Sequence, residues 1–92
     1  MKYVVRRNEN FVLIDEKMEG TNWSKYAIVG TIEQATKFDT EEEAQKVVEA
    51  IKEEFNRDIS RLRSKQKIQS LKGMFEYIGE PCVEKVIKTN GV

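Results

Sequence analysis

Histidine is absent from the 92 residues of the chain, and cysteine, proline and tryptophan occur once each. Each scarcity removes a class of function. Without histidine there is no ready general base, no usual activator of a nucleophile and no neutral imidazole ligand for a metal. A single cysteine, Cys82, permits neither an internal disulfide framework nor a cysteine-rich zinc site. It follows Pro81 at the start of a strand, away from any helix N-terminus or local cation that would stabilise a thiolate, so it is expected to be a buried structural residue. No run approaches the roughly 20 apolar residues of a membrane span, and the opening MKYVVRR lacks the apolar stretch of a signal peptide. The expected setting is a reducing cytoplasm, with no membrane, metal or cofactor involved.

Catalytic motifs are missing as well. The chain has no GxGxxG, no Walker-type loop and no carboxylate-rich calcium loop. The carboxylates that remain for acid–base work, Glu41–Glu43 and Glu53–Glu54, occupy adjacent helical positions and point in different directions, so they do not converge on a substrate. They read as a solvated, dipole-stabilising face, and the chain is not expected to be an enzyme.

What is present is a small folded domain with a heavily charged surface: 39% hydrophobic and 35% charged residues, with sixteen basic against sixteen acidic side chains. A mass of 10.7 kDa fits one domain over residues 1–92. A chain this short buries only about 60–65% of its unfolded surface, which leaves a modest core. Lys2–Arg7 and Phe11–Asp15 are β-rich runs around a three-residue turn, Asn8-Glu9-Asn10, in which Asn tolerates the left-handed conformation. Glu16–Ser24 is a polar loop, and Lys25–Gly30 is a third strand. Thr31-Ile32-Glu33-Gln34 has the form of a capping box and predicts one helical turn, before a short return strand at Thr36–Phe38.

Thr40-Glu41-Glu42-Glu43 is a stronger capping box, with acidic residues in the first turn where the helix dipole favours them. Ala44, Val47, Val48, Ile51, Phe55, Ile59 and Leu62 recur every three or four residues and mark one helical face. The seam then slips, resuming at Ile68, Leu71, Phe75 and Ile78. Gly79 and Pro81 supply a stop, and Cys82–Lys88 is a final strand. An unbroken helix from Thr40 to Lys72 would be about 50 Å long, too long for a compact domain of this size. A break between Arg63 and Gln66 is the preferred reading, and an overhanging helix packed on a second copy is the alternative. The predicted class is α+β: an antiparallel sheet of three to five strands packed on a long capped helix, continued or followed by a second helix to about Ile78.

The run Ala35-Thr36-Lys37-Phe38-Asp39-Thr40-Glu41-Glu42-Glu43-Ala44, behind a hairpin beginning KYVV, fits the pattern A-x-x-F-D-T-x-E-E-A. It resembles small, mostly uncharacterised proteins of bacteriophages and their Gram-positive hosts, over residues 2–55. The resemblance implies that Ala35 and Phe38 pack under the helix, that Asp39 or Thr40 caps it, and that Ala44 lets it approach the sheet. It also implies an accessory protein that acts by binding, as inhibitors of host defence do. Residues 56–80 depart from the pattern, which otherwise passes almost directly from helix to last strand.

Charge is segregated along the helical region. Asp39–Glu54 holds seven acidic and two basic residues, a net of −5, and Arg57–Lys72 holds six basic and one acidic, a net of +5. A single long helix would match this order to its dipole, with Glu53 and Arg57 as a favourable pair, and two antiparallel helices would oppose the halves. The same stretch contains the like-charge pairs Arg57/Arg61, Arg61/Lys65 and Arg63/Lys67, each costing about a few tenths of a kcal/mol in a helix unless an anion relieves it. Arg57, Arg61, Arg63, Lys65 and Lys67 therefore form the first candidate contact surface, and Trp23, Lys25 and Tyr26 the second. The leading expectation is a stoichiometric binding module for a host or viral protein. Nucleic-acid binding through the same segment, or capture of a small anionic nucleotide at an oligomer interface, are the alternatives. The apolar face Ile51–Phe55–Ile59–Leu62 exceeds what a small sheet covers, which predicts a homodimer.

Overall fold

In the computed structural model, which describes residues 1–21 and 24–87, the alternating run KYVVRR forms strand β1 (Lys2–Arg7) and turns back into β2 (Asn10–Ile14). Arg7 pairs with Asn10, so the hairpin loop holds two residues rather than the expected three, and Asn8 closes it at φ 55°. Asn is one of the few residues besides Gly that occupies this region readily. A short 3₁₀ turn at Glu16–Met18 precedes β3 (Tyr26–Val29). Helices α1 (Glu41–Arg61) and α2 (Lys65–Ile78) follow, and β4 (Pro81–Val86) ends the described fold. The sheet is antiparallel in the order β3-β2-β1-β4, so the architecture is the expected α+β. Lys88, expected to end the last strand, lies outside the described residues.

The segment before α1 ties the hairpin to the helix. The Thr36 amide donates to the Val12 carbonyl at 3.1 Å, and the Thr36 hydroxyl accepts from the Ile14 amide at 2.8 Å. Phe38 and Tyr3 exchange both backbone hydrogen bonds, at 2.8 and 2.9 Å, so the expected return strand is reduced to one bridge. The single turn at Thr31–Gln34 forms, and the Lys37 ammonium closes it by donating to the carbonyls of Ile32, Glu33 and Ala35 at 2.7, 3.1 and 3.1 Å. The Thr40 hydroxyl then accepts from the Glu43 amide at 3.2 Å, which starts α1 where the capping box predicts. Asp39 instead pairs with Lys2, and this bond holds its carboxyl below the usual range.

Val5, Val12, Phe38, Ala44, Val47, Val48 and Ile51 form the core between sheet and helix. Ala35 is buried but packs outside that cluster. The buried residues of α1 all fall in its first half, and α2 contributes none. Phe75 of α2 packs against this core from its edge, and the far end of the helical hairpin extends past the sheet, consistent with a long axis of 53 Å and a radius of gyration of 14.5 Å against about 12 Å for a compact chain of this length. The helix breaks at Leu62, which is extended (ψ 138°), and restarts where the Ser64 hydroxyl accepts from the Lys67 amide at 3.5 Å. The break falls just ahead of the expected Arg63–Gln66 because Ser64 is an N-cap. Helix α2 runs back along α1, with the rings of Phe55 and Phe75 stacked at 4.1 Å and Lys52 paired with Glu80 at 3.1 Å.

Cys82 is exposed, against the expectation of burial. Strand phase explains the difference. Pro81 opposite Arg7 and Val83 opposite Val5 take the helix side of β4, which turns Cys82, opposite Arg6, to the other face of an edge strand.

The α2–β4 junction depends on Gly79, at φ 109° and ψ 144°, a region essentially confined to Gly. A Cβ there would lie 2.5 Å from Asn8 Cγ and 2.8 Å from the Asn8 amide nitrogen. Gly73, inside α2, has nothing within 4 Å of its Cβ position. In urea unfolding, Gly79→Ala is expected to cost about 2–3 kcal/mol, whereas Gly73→Ala gains about 0.5–1 kcal/mol. A Gly79→Ala chain as stable as its parent would contradict this junction.

Candidate functional site

The cations singled out from the sequence separate into two places. Arg57 lies with Lys25 and Tyr26 in a cleft of about 330 Å³ between the segment 18–21 and the middle of α1. Glu19, Glu53 and Glu54 line the same cleft, so carboxylates outnumber cations there. Lys25 Nζ is 3.8 Å from a Glu19 oxygen and 5.7 Å from the Tyr26 ring centre. Glu53 and Arg57 share the cleft but do not close the ion pair expected of them. Trp23 lies outside the described residues.

The remaining four cations gather at the tip of the helical hairpin. Arg61 ends α1, Arg63 is in the connection, and Lys65 and Lys67 are in the first turn of α2. All four are exposed, and among the described residues none has a carboxylate partner. The break changes the electrostatics assumed for one long helix. Arg61/Lys65 and Arg63/Lys67 are no longer neighbours on a continuous helix, and among the described residues no ion pair joins α1 to α2; Lys52 of α1 pairs instead with Glu80, beyond the end of α2. Arg61 still suits the negative end of α1. Lys65 and Lys67 sit at the positive end of α2, whose first turn carries no acidic residue. Three sources of positive potential thus converge: the two ends of the connection and the exposed amides of the α2 start.

Beside the tip, an open groove of about 560 Å³ is lined by Leu62, Leu71 and Met74, with Lys67 among the polar residues at its edge. Its apolar floor follows from the slipped seam. Leu62 closes one seam and Leu71 belongs to the next, and neither is fully covered where the helices diverge from the sheet.

One residue that sequence reasoning did not single out is Arg7. Two-residue periodicity in KYVVRR places Tyr3, Val5 and Arg7 on the helix side of β1, so the signal was present: a cation on a core-facing register. Its Nε donates to the Gly79 carbonyl at 2.6 Å, and its guanidinium lies 4.7 Å from the centre of the Phe75 ring. Burial lowers its pKa from the ordinary value, although an arginine remains charged at any pH the fold tolerates.

Among the described residues, no group of His, Cys, Asp and Glu side chains is arranged to hold a metal ion, and no helix is long and apolar enough to cross a membrane. No known protein family matches this chain, and no curated protein or solved structure is significantly similar to it.

The cations of the α2 start oppose its dipole, so they are expected to cost stability. Replacing both, Lys65→Glu with Lys67→Glu, should raise the unfolding free energy by about 1 kcal/mol at low salt, with the gain shrinking as salt is added. Urea midpoints at two ionic strengths measure this. A loss of stability would mean that the two lysines serve the fold.

Proposed function

We propose that the protein is a non-enzymatic binding module that engages an acidic protein surface, stoichiometrically, through the tip of its α1–α2 hairpin. The observation that carries this reading is the set Arg61, Arg63, Lys65 and Lys67, exposed and without carboxylate partners among the described residues, at a point that gains nothing in stability from Lys65 and Lys67. The apolar groove of Leu62, Leu71 and Met74 beside the cations favours a protein over a phosphate backbone. Protein contacts combine an apolar centre with a charged rim, while single-stranded nucleic acid favours aromatic platforms, which neither the cation cluster nor its groove supplies. The resemblance of residues 2–55 to phage accessory proteins supports a host protein as the target, in the manner of an anti-defence factor.

Homodimerisation is a narrower proposal than the sequence suggested. Helix α2 of the same chain supplies the partner expected for Phe55, through Phe75. Of the face Ile51–Phe55–Ile59–Leu62, the half-covered Ile59 and Leu62 remain for a second copy.

Affinity capture of the tagged chain from its native cell tests the main reading, with a variant carrying Arg61→Glu, Arg63→Glu, Lys65→Glu and Lys67→Glu as control. The expected result is one protein recovered in near-equimolar amount, with recovery reduced at least ~10-fold by the charge reversal. Equal recovery by both chains would place the contact elsewhere. Recovery that disappears on nuclease treatment, with affinity falling steeply in salt, would replace a protein target with nucleic acid.

A further inference from the structure

The open groove beside the hairpin tip continues inward. Leu71 and Met74 line it, and they also line a second groove that follows α1 and α2 towards β3. The two form one surface, on the side of the hairpin where both apolar seams are incompletely covered. Leu62 and Leu71 are half-buried there, and Met74 is 58% exposed. An apolar strip of this kind, rimmed by charge, marks a contact surface.

Charge is ordered along the strip. Glu54 and Asp58 line its inner part, and Lys67 lines the part at the tip. Arg61 lies three residues beyond Asp58 and seven beyond Glu54, on the same stripe of α1. Among the described residues, none of these four has an ion-pair partner. Glu54 also borders the cleft of Lys25 and Arg57 but pairs with neither, and Arg57 lines that cleft and not the strip.

The order is complementary to its own reverse. Phe55 and Phe75 stack, so they stand level on the two antiparallel helices. At about 1.5 Å per residue from that pair, Met74 lies about 1.5 Å, Asp58 about 4.5 Å and Leu71 about 6 Å towards the tip. On the same count Arg61 lies at about 9 Å, Leu62 at about 10.5 Å and Lys67 at about 12 Å, with Glu54 about 1.5 Å behind the pair. A two-fold axis at the level of Leu71 therefore sets Met74 against Leu62 and Leu71 against itself. It also brings Asp58 to within about 1.5 Å of the level of Arg61, and Glu54 equally near that of Lys67.

We propose that two copies of the chain associate through this strip, antiparallel about a two-fold axis near Leu71, with Glu54 and Asp58 of each facing Lys67 and Arg61 of the other. Every pairing in such an isologous contact is made twice. The carboxylates that the tip cations lack within their own chain are supplied by the second copy, and Met74 and Leu62 are covered in the same step. The dimer does not depend on the acidic partner proposed for the tip. It covers Arg61 and Lys67, however, so the dimer and such a partner exclude one another.

Sedimentation velocity of the purified full chain, from low micromolar to submillimolar concentration, tests this. A reversible dimer is expected, weakening as salt is added. Glu54→Lys with Asp58→Lys, and separately Arg61→Glu with Lys67→Glu, should each weaken it at least ~10-fold, whereas an equimolar mixture of the two variants should recover a heterodimer with every charge pair restored. Leu71→Cys in a Cys82→Ser chain, equilibrated with glutathione disulfide, should cross-link to its own copy, because a residue on the axis meets itself within disulfide reach. Ser60→Cys, exposed on the opposite side of α1, should not. If a charge variant fails to fold, the two cysteine variants decide the matter. A chain that stays monomeric, a dimer indifferent to both reversals, variants that do not combine, or cross-linking at position 60 in preference to 71 would each overturn the proposal. A monomer that still captured a protein through its basic tip would overturn the dimer and leave the reading of the tip in place.

Discussion

The hydrogen bond from Arg7 to the Gly79 carbonyl is the contact on which the placement of the helical hairpin depends. Helix α2 contributes no fully buried side chain and meets the core through half-buried Phe75, so little apolar packing holds it. Its C-terminal end is instead fastened at one corner of the sheet. Arg7 donates to Gly79, Asn8 donates to the Tyr77 carbonyl at 3.1 Å, and Phe75 lies between the guanidinium and the ring of Phe55. These groups come from the end of β1, the turn that follows it and the end of α2, which are distant in sequence, and Gly79 lets them approach. An arginine is suited to the task because one flat group can donate at its edge and stack on its face.

The two halves of the chain are built on different terms. From Lys2 to Ile51 the fold follows familiar rules: alternating strands, a capped helix, and a single core in which Ala44 keeps the helix close to the sheet. Beyond Ile51 the chain trades burial for reach. The hairpin extends past the sheet, its seams are half covered, and its tip concentrates charge that the helix dipole does not favour. Natural chains near the stability threshold keep unfavourable arrangements of this kind where function requires them.

Most of the first half was legible because its signals are local. Thr40 with Glu43, the three- and four-residue spacing from Ala44 to Ile51, and the alternation in KYVVRR each fix a structure without reference to distant residues. The class, the strands and the start of α1 follow from them. The break in the helix was legible in part, through the slipped seam, but its position turned on Ser64, an N-cap without the usual acidic residue three positions on. Cys82 was misread because its side of β4 is set by pairing with β1, which depends on where Pro81 meets Arg7 and not on the strand's own composition. Arg7 was overlooked for a related reason. Its register was visible, but its burial requires Phe75 and Gly79, some seventy positions later. The grouping of Arg57 with Lys25 likewise depends on a loop folding against α1, which no spacing within either segment encodes.

The way α2 is fastened has a consequence for how the molecule opens. A helix held by a stacked ring pair and a few hydrogen bonds at one end is a separate cooperative unit, with an opening free energy below that of the sheet and α1. Its amides therefore exchange with solvent through a local event that leaves the β1–α1 body intact. Because the same corner holds Arg7 and Gly79, anything that satisfies the guanidinium also slows the detachment of α2. The stiffness of the basic tip is thereby coupled, across the length of the hairpin, to one arginine at the edge of the sheet.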